Sequence, residues 1–476
     1  MDLAYYIFII YNMSAEVFSE SLAYPKMKQR AVSSRSFRTK IAPSNSQSFT
    51  PGQTINIDLP GNLSGQYYNF SQMYLKVRLT TATHPAELDR AGIVSAIKRV
   101  QISQAGSQIY DLNNFNVLYT ALLDTESNAE WRGSVGNIMT GTQGNSLGGE
   151  NVPAGSRTYC IPLVLNPLAN TTPHRLIPAF SMSSIQFKIT LDEQASFLKY
   201  AAGSVPTGVV FDEVEMVCLM TELSPQAQAM IDAQTNGVYN ILANSYMNST
   251  ANVASTISNA SVNLGFSVSS LERILMVQRT SADLADSTKF SIGNRIRNDL
   301  TEYSYQINSE SYPQRPIRVD DKSAEACAEL LVAEHSLVDF RKGNNLNGGS
   351  VRSANTAQLT SFVCGDPSVH PSDYGQEVGS VPAGTTAGAT SSTAGNVTAA
   401  TASTIGTAVY GCEFETGLSD GKSSHIYSGV STLASNVQAL LKYDSAHVAA
   451  QLDFFAQFSV LLSLDMKGSG VFSVSV

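Results

Sequence analysis

The chain is 476 residues long, enough for two hydrophobic cores of roughly 200 residues each, and its 43% hydrophobic content can fill both. Charged residues make up only 14%, against roughly a quarter in typical globular proteins, which suits close, permanent contact with neighbours or, equally, a plain β-rich protein with a neutral polar exterior. The net charge of −9 excludes a protein whose whole surface binds nucleic acid.

An apolar run, LAYYIFIIY at 3–11, comes first. It is about half the length a membrane span needs and follows Asp2 with no cleavage site, so it reads neither as a transmembrane helix nor as a signal peptide. Met13 offers an alternative start that would make the run an upstream reading artefact. No acidic residue falls between Glu20 and Asp58, while Lys26, Lys28, Arg30, Arg35, Arg38 and Lys40 gather there. This basic N-terminal arm could meet anionic lipid or packaged nucleic acid, or simply be a solvated tail.

Alternation then predicts strands. Ile55, Ile57 and Leu59 share one face, and Met73, Leu75, Val77 and Leu79 another, with Lys76 and Arg78 turned outward. Residues 97–110 read as a hairpin turned at Ala105, Gly106 and Ser107. Asp111 then opens a helix over 112–123, with Phe115, Leu118, Tyr119 and Leu122 as its apolar stripe. Residues 133–156 are rich in Gly, Asn and Ser and read as a long surface loop. Strands follow at 157–165, 185–191 and 209–223, with a turn-rich segment at 174–180. Ser224 is an N-cap with Pro225 at the first helical position, which predicts a short linking helix over 225–234 and a domain boundary.

The second half repeats this order. Segments 238–246, 260–268, 271–278 and 290–295 are strand-like, and Tyr303, Tyr305 and Ile307 alternate with polar residues. Pro313 and Pro316 remove two backbone donors, so a turn is expected to interrupt the ladder at 312–317. Asp320, Asp321 and Ser323 then cap a helix carrying Cys327, Leu330, Leu331, Leu337 and Val338. Residues 341–430 are mostly turn formers, and 378–412 holds no charged residue, the pattern of a long exposed excursion or a disordered linker. Strands return at 437–443, 449–464 and 470–476.

Strand, turn, acidic cap and amphipathic helix thus occur twice, about 210 residues apart. The expected fold is mainly β: two tandem eight-stranded antiparallel jelly-roll sandwiches, each with a flanking helix. The expected division is an arm at 1–33, a first jelly roll at 34–223, a linking helix at 224–237 and a second jelly roll at 238–476.

Catalytic signals are scattered. The five cysteines, Cys160, Cys218, Cys327, Cys364 and Cys412, are an odd, widely spaced set that writes neither a disulfide framework nor a zinc site, and fits an intracellular place of synthesis. The six histidines share no metal-ligand spacing. Asp212, Glu213 and Glu215 form the tightest acidic cluster and Asp192 with Glu193 another. A carboxylate pair on a sandwich is the tool of a glycosidase, but without a partner set an acidic strand edge is the simpler reading. The glycines of 141–149 do not lead from a strand into a phosphate-binding helix. Sequons at Asn62, Asn69, Asn248, Asn259 and Asn396 arise by chance in a Ser/Thr-rich chain. No catalytic residue, metal site or cofactor is expected.

Three segments carry a resemblance: SAIKRVQI at 95–102, SIQFKITL at 184–191 and YQINSESYPQRPI at 305–317. With the overall layout, they resemble double jelly-roll major capsid proteins of tailless icosahedral viruses, the lineage of adenovirus hexon, virophages, polinton-like viruses and membrane-containing bacteriophages. The resemblance implies a structural, non-enzymatic role. Homotrimers would form pseudo-hexagonal capsomers of a virion shell, assembled inside the host cell with neighbouring capsomers, penton and minor capsid proteins as partners. The arm bearing Lys26 to Lys40 would face inward, toward an internal membrane or the genome, and the low-complexity insert would be an outer loop. Tyr312, Pro313, Arg315 and Pro316 would rigidify a turn for intersubunit packing. The competing reading is a secreted or surface carbohydrate-binding or glycan-hydrolysing sandwich, which would show a cleft lined by clustered aromatics and acids; only one Trp, Trp131, is present.

Overall fold

The computed structural model describes residues 34–83, 86–143, 148–152, 154–171, 174–201, 203–284, 286–319, 325–335, 337, 408–414, 429–444, 447–465 and 470–475. The expectations for 3–11, for Lys26, Lys28 and Arg30, for the caps Asp320, Asp321 and Ser323, for Val338 and for most of 341–430 lie outside the described residues.

The first half runs β1 (Ser34–Ile41), β2 (Ser48–Phe49), β3 (Thr54–Leu59), β4 (Gln66–Thr81), β5 (Ala86–Asp89), β6 (Ile97–Gln104), β7 (Ser107–Asn113), β8 (Gly148–Val152), β9 (Gly155–Pro162), β10 (Ile177–Pro178), β11 (Ile185–Leu191), β12 (Leu198–Lys199) and β13 (Val210–Leu223). One sheet has the order β1-β13-β4-β9, with β2 and β10 as short extensions, and the other β3-β11-β6-β7. Strands β12, β5 and β8 form a small third sheet. The second half runs β14 (Val238–Val253), β15 (Asn259–Asn263), β16 (Leu271–Thr280), β17 (Leu300–Ile307), β18 (Glu310–Arg318), β19 (Tyr410–Glu413), β20 (Val437–Tyr443), β21 (Ala450–Asp465) and β22 (Ser473–Ser475). Its sheets are β14-β21-β16-β19, extended by β22 on β21, and β15-β20-β17-β18.

Counting eight principal strands in each half, both halves have the same connectivity. One sheet joins the first, eighth, third and sixth strands, and the other joins the second, seventh, fourth and fifth. This is the jelly roll, and the chain carries it twice. The cause is visible in β4, where Met73, Leu75, Val77 and Leu79 are buried while Lys76 and Arg78 face outward. A helix follows the fifth strand of each sandwich, Phe115–Glu126 in one and Glu325–Ala333 in the other. The linking helix spans Pro225–Thr235, and Ser224 accepts a hydrogen bond from the Ala227 amide as its cap.

Several expectations are corrected. Asp111 does not cap a helix: it lies on β7 and pairs with Arg99 at 2.6 Å, and the helix begins at Phe115 after Asn114 in a left-handed conformation. The expected loop at 133–156 contains helix Val135–Thr140, β8 and the start of β9. Gly149 there serves close approach, since a Cβ on it would sit 2.7 Å from the Asp89 carbonyl oxygen. Residues 290–295 form turns instead of a strand, and Leu337 is exposed beyond the end of its helix. The hairpin turn after Ile307 lies at 308–309, and the strand resumes through both prolines. Tyr303 pairs with Ile317 and Tyr305 with Tyr312, so 313–316 bulge out of the ladder on an edge strand, the one sheet position that tolerates proline. Within the expected excursion, 408–414 is buried core around β19 rather than exposed.

Candidate functional site

The most elaborate polar construction in the described residues is the seam between the two sandwiches. Strand β7 lies against β14, which places helix Phe115–Glu126 beside the outer face of the second sandwich. The side chain of Asn114 donates to Asp453 Oδ1 on β21 at 2.8 Å. At the other end of the helix, Asp124 is completely buried. It accepts from Arg90 at 2.8 Å and from Arg132 at 2.6 Å within its own half, and from Arg295 of the second half. Burial opposes its charge, but Arg90, Arg295 and Arg132 outweigh that and hold the carboxyl well below the usual carboxylate range.

Asp89 has the opposite balance. It accepts backbone hydrogen bonds from Ile292 at 3.0 Å and Gly293 at 2.7 Å, both in the second half. Burial pushes its carboxyl up to about 6, even against those amides and that of Arg90. Ser291 donates to the Ser196 carbonyl at 2.8 Å, and the Tyr200 amide to Ser287 at 2.9 Å. The C-terminal segment crosses back over the seam: the Gln104 amide donates to Ser183 and Gly470, and the Phe472 amide donates to Gln104 at 2.7 Å.

On the covered face of the second sandwich, Arg279 pairs with Asp453 at 2.7 Å and Arg273 with Glu334 at 2.9 Å. With Glu272 accepting from Gln457 at 2.8 Å, these explain why every residue of 271–279 is buried although Glu272, Arg273 and Arg279 are charged. Buried ion pairs contribute little net stability, but breaking one leaves an uncompensated charge. Both pairs lie within the second sandwich; the buried ion pair that joins the two sandwiches is Asp124 with Arg295. None of these residues was singled out from sequence; the available signal was charge inside apolar runs, as in LERILMV at 271–277 and DRAGIV at 89–94.

The residues that were singled out lie elsewhere. Tyr312 is half-buried, its ring 5.5 Å from that of Phe414 and its hydroxyl 3.0 Å from Glu310. Pro313 is half-buried beside it, and Arg315 and Pro316 are exposed on the bulge. Pro316 borders a cavity of about 350 Å³ with Asn259, Glu302 and Tyr303. Arg35, Arg38 and Lys40 are not part of an arm: they sit on β1, where Arg35 pairs with Glu222 at 2.7 Å and Lys40 with Glu215 at 3.3 Å.

The acidic cluster is neutralised in place. Arg78 meets Asp212 and Glu213 at 2.6 Å, and Lys76 meets Glu215 at 3.2 Å. Burial opposes the charge of Glu215, but hydrogen bonds from Lys76 and Lys40 hold its carboxyl below the ordinary value. Glu215 is thus not the raised-pKa acid a glycosidase needs, and Asp212 and Glu213 are engaged by Arg78. Asp192 is likewise engaged, accepting from Asn116 at 2.9 Å. Among the described residues no His, Cys, Asp and Glu group has the arrangement of a metal site, and no helix is long and apolar enough to cross a membrane.

No protein-family model and no curated protein matches the chain. Solved structures do. The PBCV-1 protein VP54, fitted into a reconstruction of the virophage Sputnik, aligns with a TM-score of 0.59 at 11% identity, over 95% of this chain and 99% of its own. A quasi-atomic model of the PBCV-1 virus capsid gives 0.55 at 12% identity over 95% and 99%. The Faustovirus major capsid protein gives 0.55 at 9% identity over 93% and 92%. At such identities the likeness is one of fold, the double jelly roll over nearly the whole chain.

Proposed function

We propose that this chain is a major capsid protein that self-assembles as trimeric capsomers of pseudo-hexagonal footprint into an icosahedral virion shell. The observation that carries the reading is the duplication itself: two jelly rolls of identical connectivity, locked at one angle by a buried ionic seam, over a length matched almost end to end by capsid proteins. Three rigid two-lobed bodies around a threefold axis give six lobes, the shape that tiles a shell with hexagonal symmetry. Catalysis has no part in this function, and the pairing of Asp212, Glu213 and Glu215 with Arg78 and Lys76 supports that. It equally disfavours a glycan-hydrolysing sandwich.

Within this reading, the division is an arm at 1–33, jelly rolls at 34–223 and 238–476, a linking helix at 224–237 and an outer loop within 341–430. Lys26, Lys28 and Arg30 would face inward toward a membrane or genome, and Arg315 and Pro316 would meet a neighbouring subunit. Other capsomers, penton and minor capsid proteins would be partners, in a virion built inside the host cell. Negative-stain electron microscopy of the purified full-length chain tests the reading. Three-lobed particles with a hexagonal outline, or shells of them, are expected; uniformly single two-lobed particles would contradict it.

A further inference from the structure

Each of the four main sheets has two edges, and an edge strand presents backbone groups on which another strand can form. Most of these edges are guarded. Strand β1 carries Arg35, Arg38 and Lys40, and β9 carries Arg157 and Pro162 with helix Val135–Thr140 packed on it. Strand β7 lies against β14, and helix Glu325–Ala333 packs on β19. The proline bulge interrupts β18. Strand β3 is closed by its own chain: the Asn56 amide donates to Asn45 Oδ1 at 3.1 Å, the Ser44 amide to the Asn56 carbonyl at 2.8 Å, and the Asn45 side chain to the Thr54 carbonyl at 2.7 Å.

Strand β15, the counterpart of β3 in the second sandwich, has no such guard among the described residues. The Tyr443 amide donates to the Ser258 carbonyl at 2.8 Å and the Leu264 amide to the Val437 carbonyl at 2.9 Å. Pairs in an antiparallel ladder alternate, so Ala260 and Val262 bond to β20, while the amides and carbonyls of Asn259, Ser261 and Asn263 point away from it. Those three residues are exposed. No charged residue and no proline falls between Asp232 and Glu272. The charges on the adjoining β20 and β17 are Lys442 and Glu302, which pair with each other at 3.4 Å.

We infer that β15 docks edge to edge on β15 of a second copy of this chain, antiparallel about a twofold axis through Ser261, so that the two β15-β20-β17-β18 sheets become one. The strand reads Asn-Ala-Ser-Val-Asn from 259 to 263, nearly the same in either direction. Paired on itself, it sets Ser261 against Ser261 and Asn259 against Asn263, the residues whose backbone groups point outward, and no like charges meet. On the other side of the strand, half-buried Ala260 comes beside Val262 of the second copy. Such a contact is isologous, and with so short a strand it is weak and concentration-dependent. It rests on the capsomer reading, in which it joins one capsomer to the next.

Antiparallel partners whose backbone groups bond lie about 5.5 Å apart at Cα, within the span of a disulfide, so Ser261→Cys brings two thiols into reach across the axis. The full-length variant in mild oxidant is expected to run as a dimer of chains on a non-reducing gel, well above the background set by the wild-type cysteines. Ser261→Lys and Ser261→Glu each place like charges on the axis, and each alone is expected to sediment as separate capsomers with an unchanged circular dichroism spectrum. An equal mixture of the two is expected to regain the wild-type association. A disulfide dimer no stronger than the wild-type background, charged variants that associate as the wild-type chain does, or a mixture that stays apart would overturn this contact, and three-chain particles in the same samples would leave the capsomer reading standing. Disulfide dimers from a chain that never forms three-chain particles would overturn the capsomer reading and leave the contact.

Discussion

Asp89 and Asp124 are buried carboxylates a few ångströms from the same seam, and their opposite behaviour follows from their partners. Asp124 is held by three guanidiniums, so Asp124→Asn leaves buried cations without their counter-ion. It should cost about 3–5 kcal/mol, read as a lowered urea midpoint. Asp89 has only backbone amides directly on it, and its carboxyl rises from an ordinary 3.8 to about 6. A raised acid binds its proton more tightly folded than unfolded. Its neutral-pH cost is therefore relieved as pH falls through about 6, and stability from this group grows until about pH 4. Relative to Asp89→Asn, the wild-type chain should gain up to about 3 kcal/mol between pH 7 and 4, measured by urea unfolding at each pH. A flat difference would place the titration elsewhere. Gln104 is the third such residue. Gln104→Ala removes bonds to Ser183, Gly470 and Phe472 from a buried site and should cost about 1–3 kcal/mol, with faster amide exchange in β22.

At the scale of elements, alternation located most principal strands, because a period of two is imposed by one buried face. Where both faces are buried it located the strand but not the role of its charges. Strand β16 has no exposed side in 271–279, so its charged residues carried no visible pattern, and the seam they build was illegible until the other sandwich was in place. Glycine misled in the other direction: 133–156 reads as loop, yet Gly149 permits tight backbone contact with β5. Proline was read correctly as breaking the ladder and wrongly as ending the strand, because an edge strand can bulge around it. That bulge makes a prediction of its own. Pro313→Ala with Pro316→Ala returns two amide donors to an exposed edge and, on the capsomer reading, disturbs a subunit contact. The variant should lose oligomer mass in solution; an unchanged oligomer would remove these prolines from the interface.

For the whole molecule, the duplication was legible as a repeated order of strand, turn and helix, and the structure turns that order into two sandwiches of one topology. What no periodicity encodes is their mutual orientation, which depends on contacts between residues far apart in sequence, such as Asp124 with Arg295 and Asn114 with Asp453. A shell-forming protein needs that orientation fixed, since small angular errors accumulate around a ring. Capsomer formation is therefore a matter of stoichiometry, which light scattering on the purified full-length chain measures. A stable species of three times the 50.9 kDa chain mass, or larger shells built from it, is expected. A single species of 50.9 kDa at every concentration would contradict it.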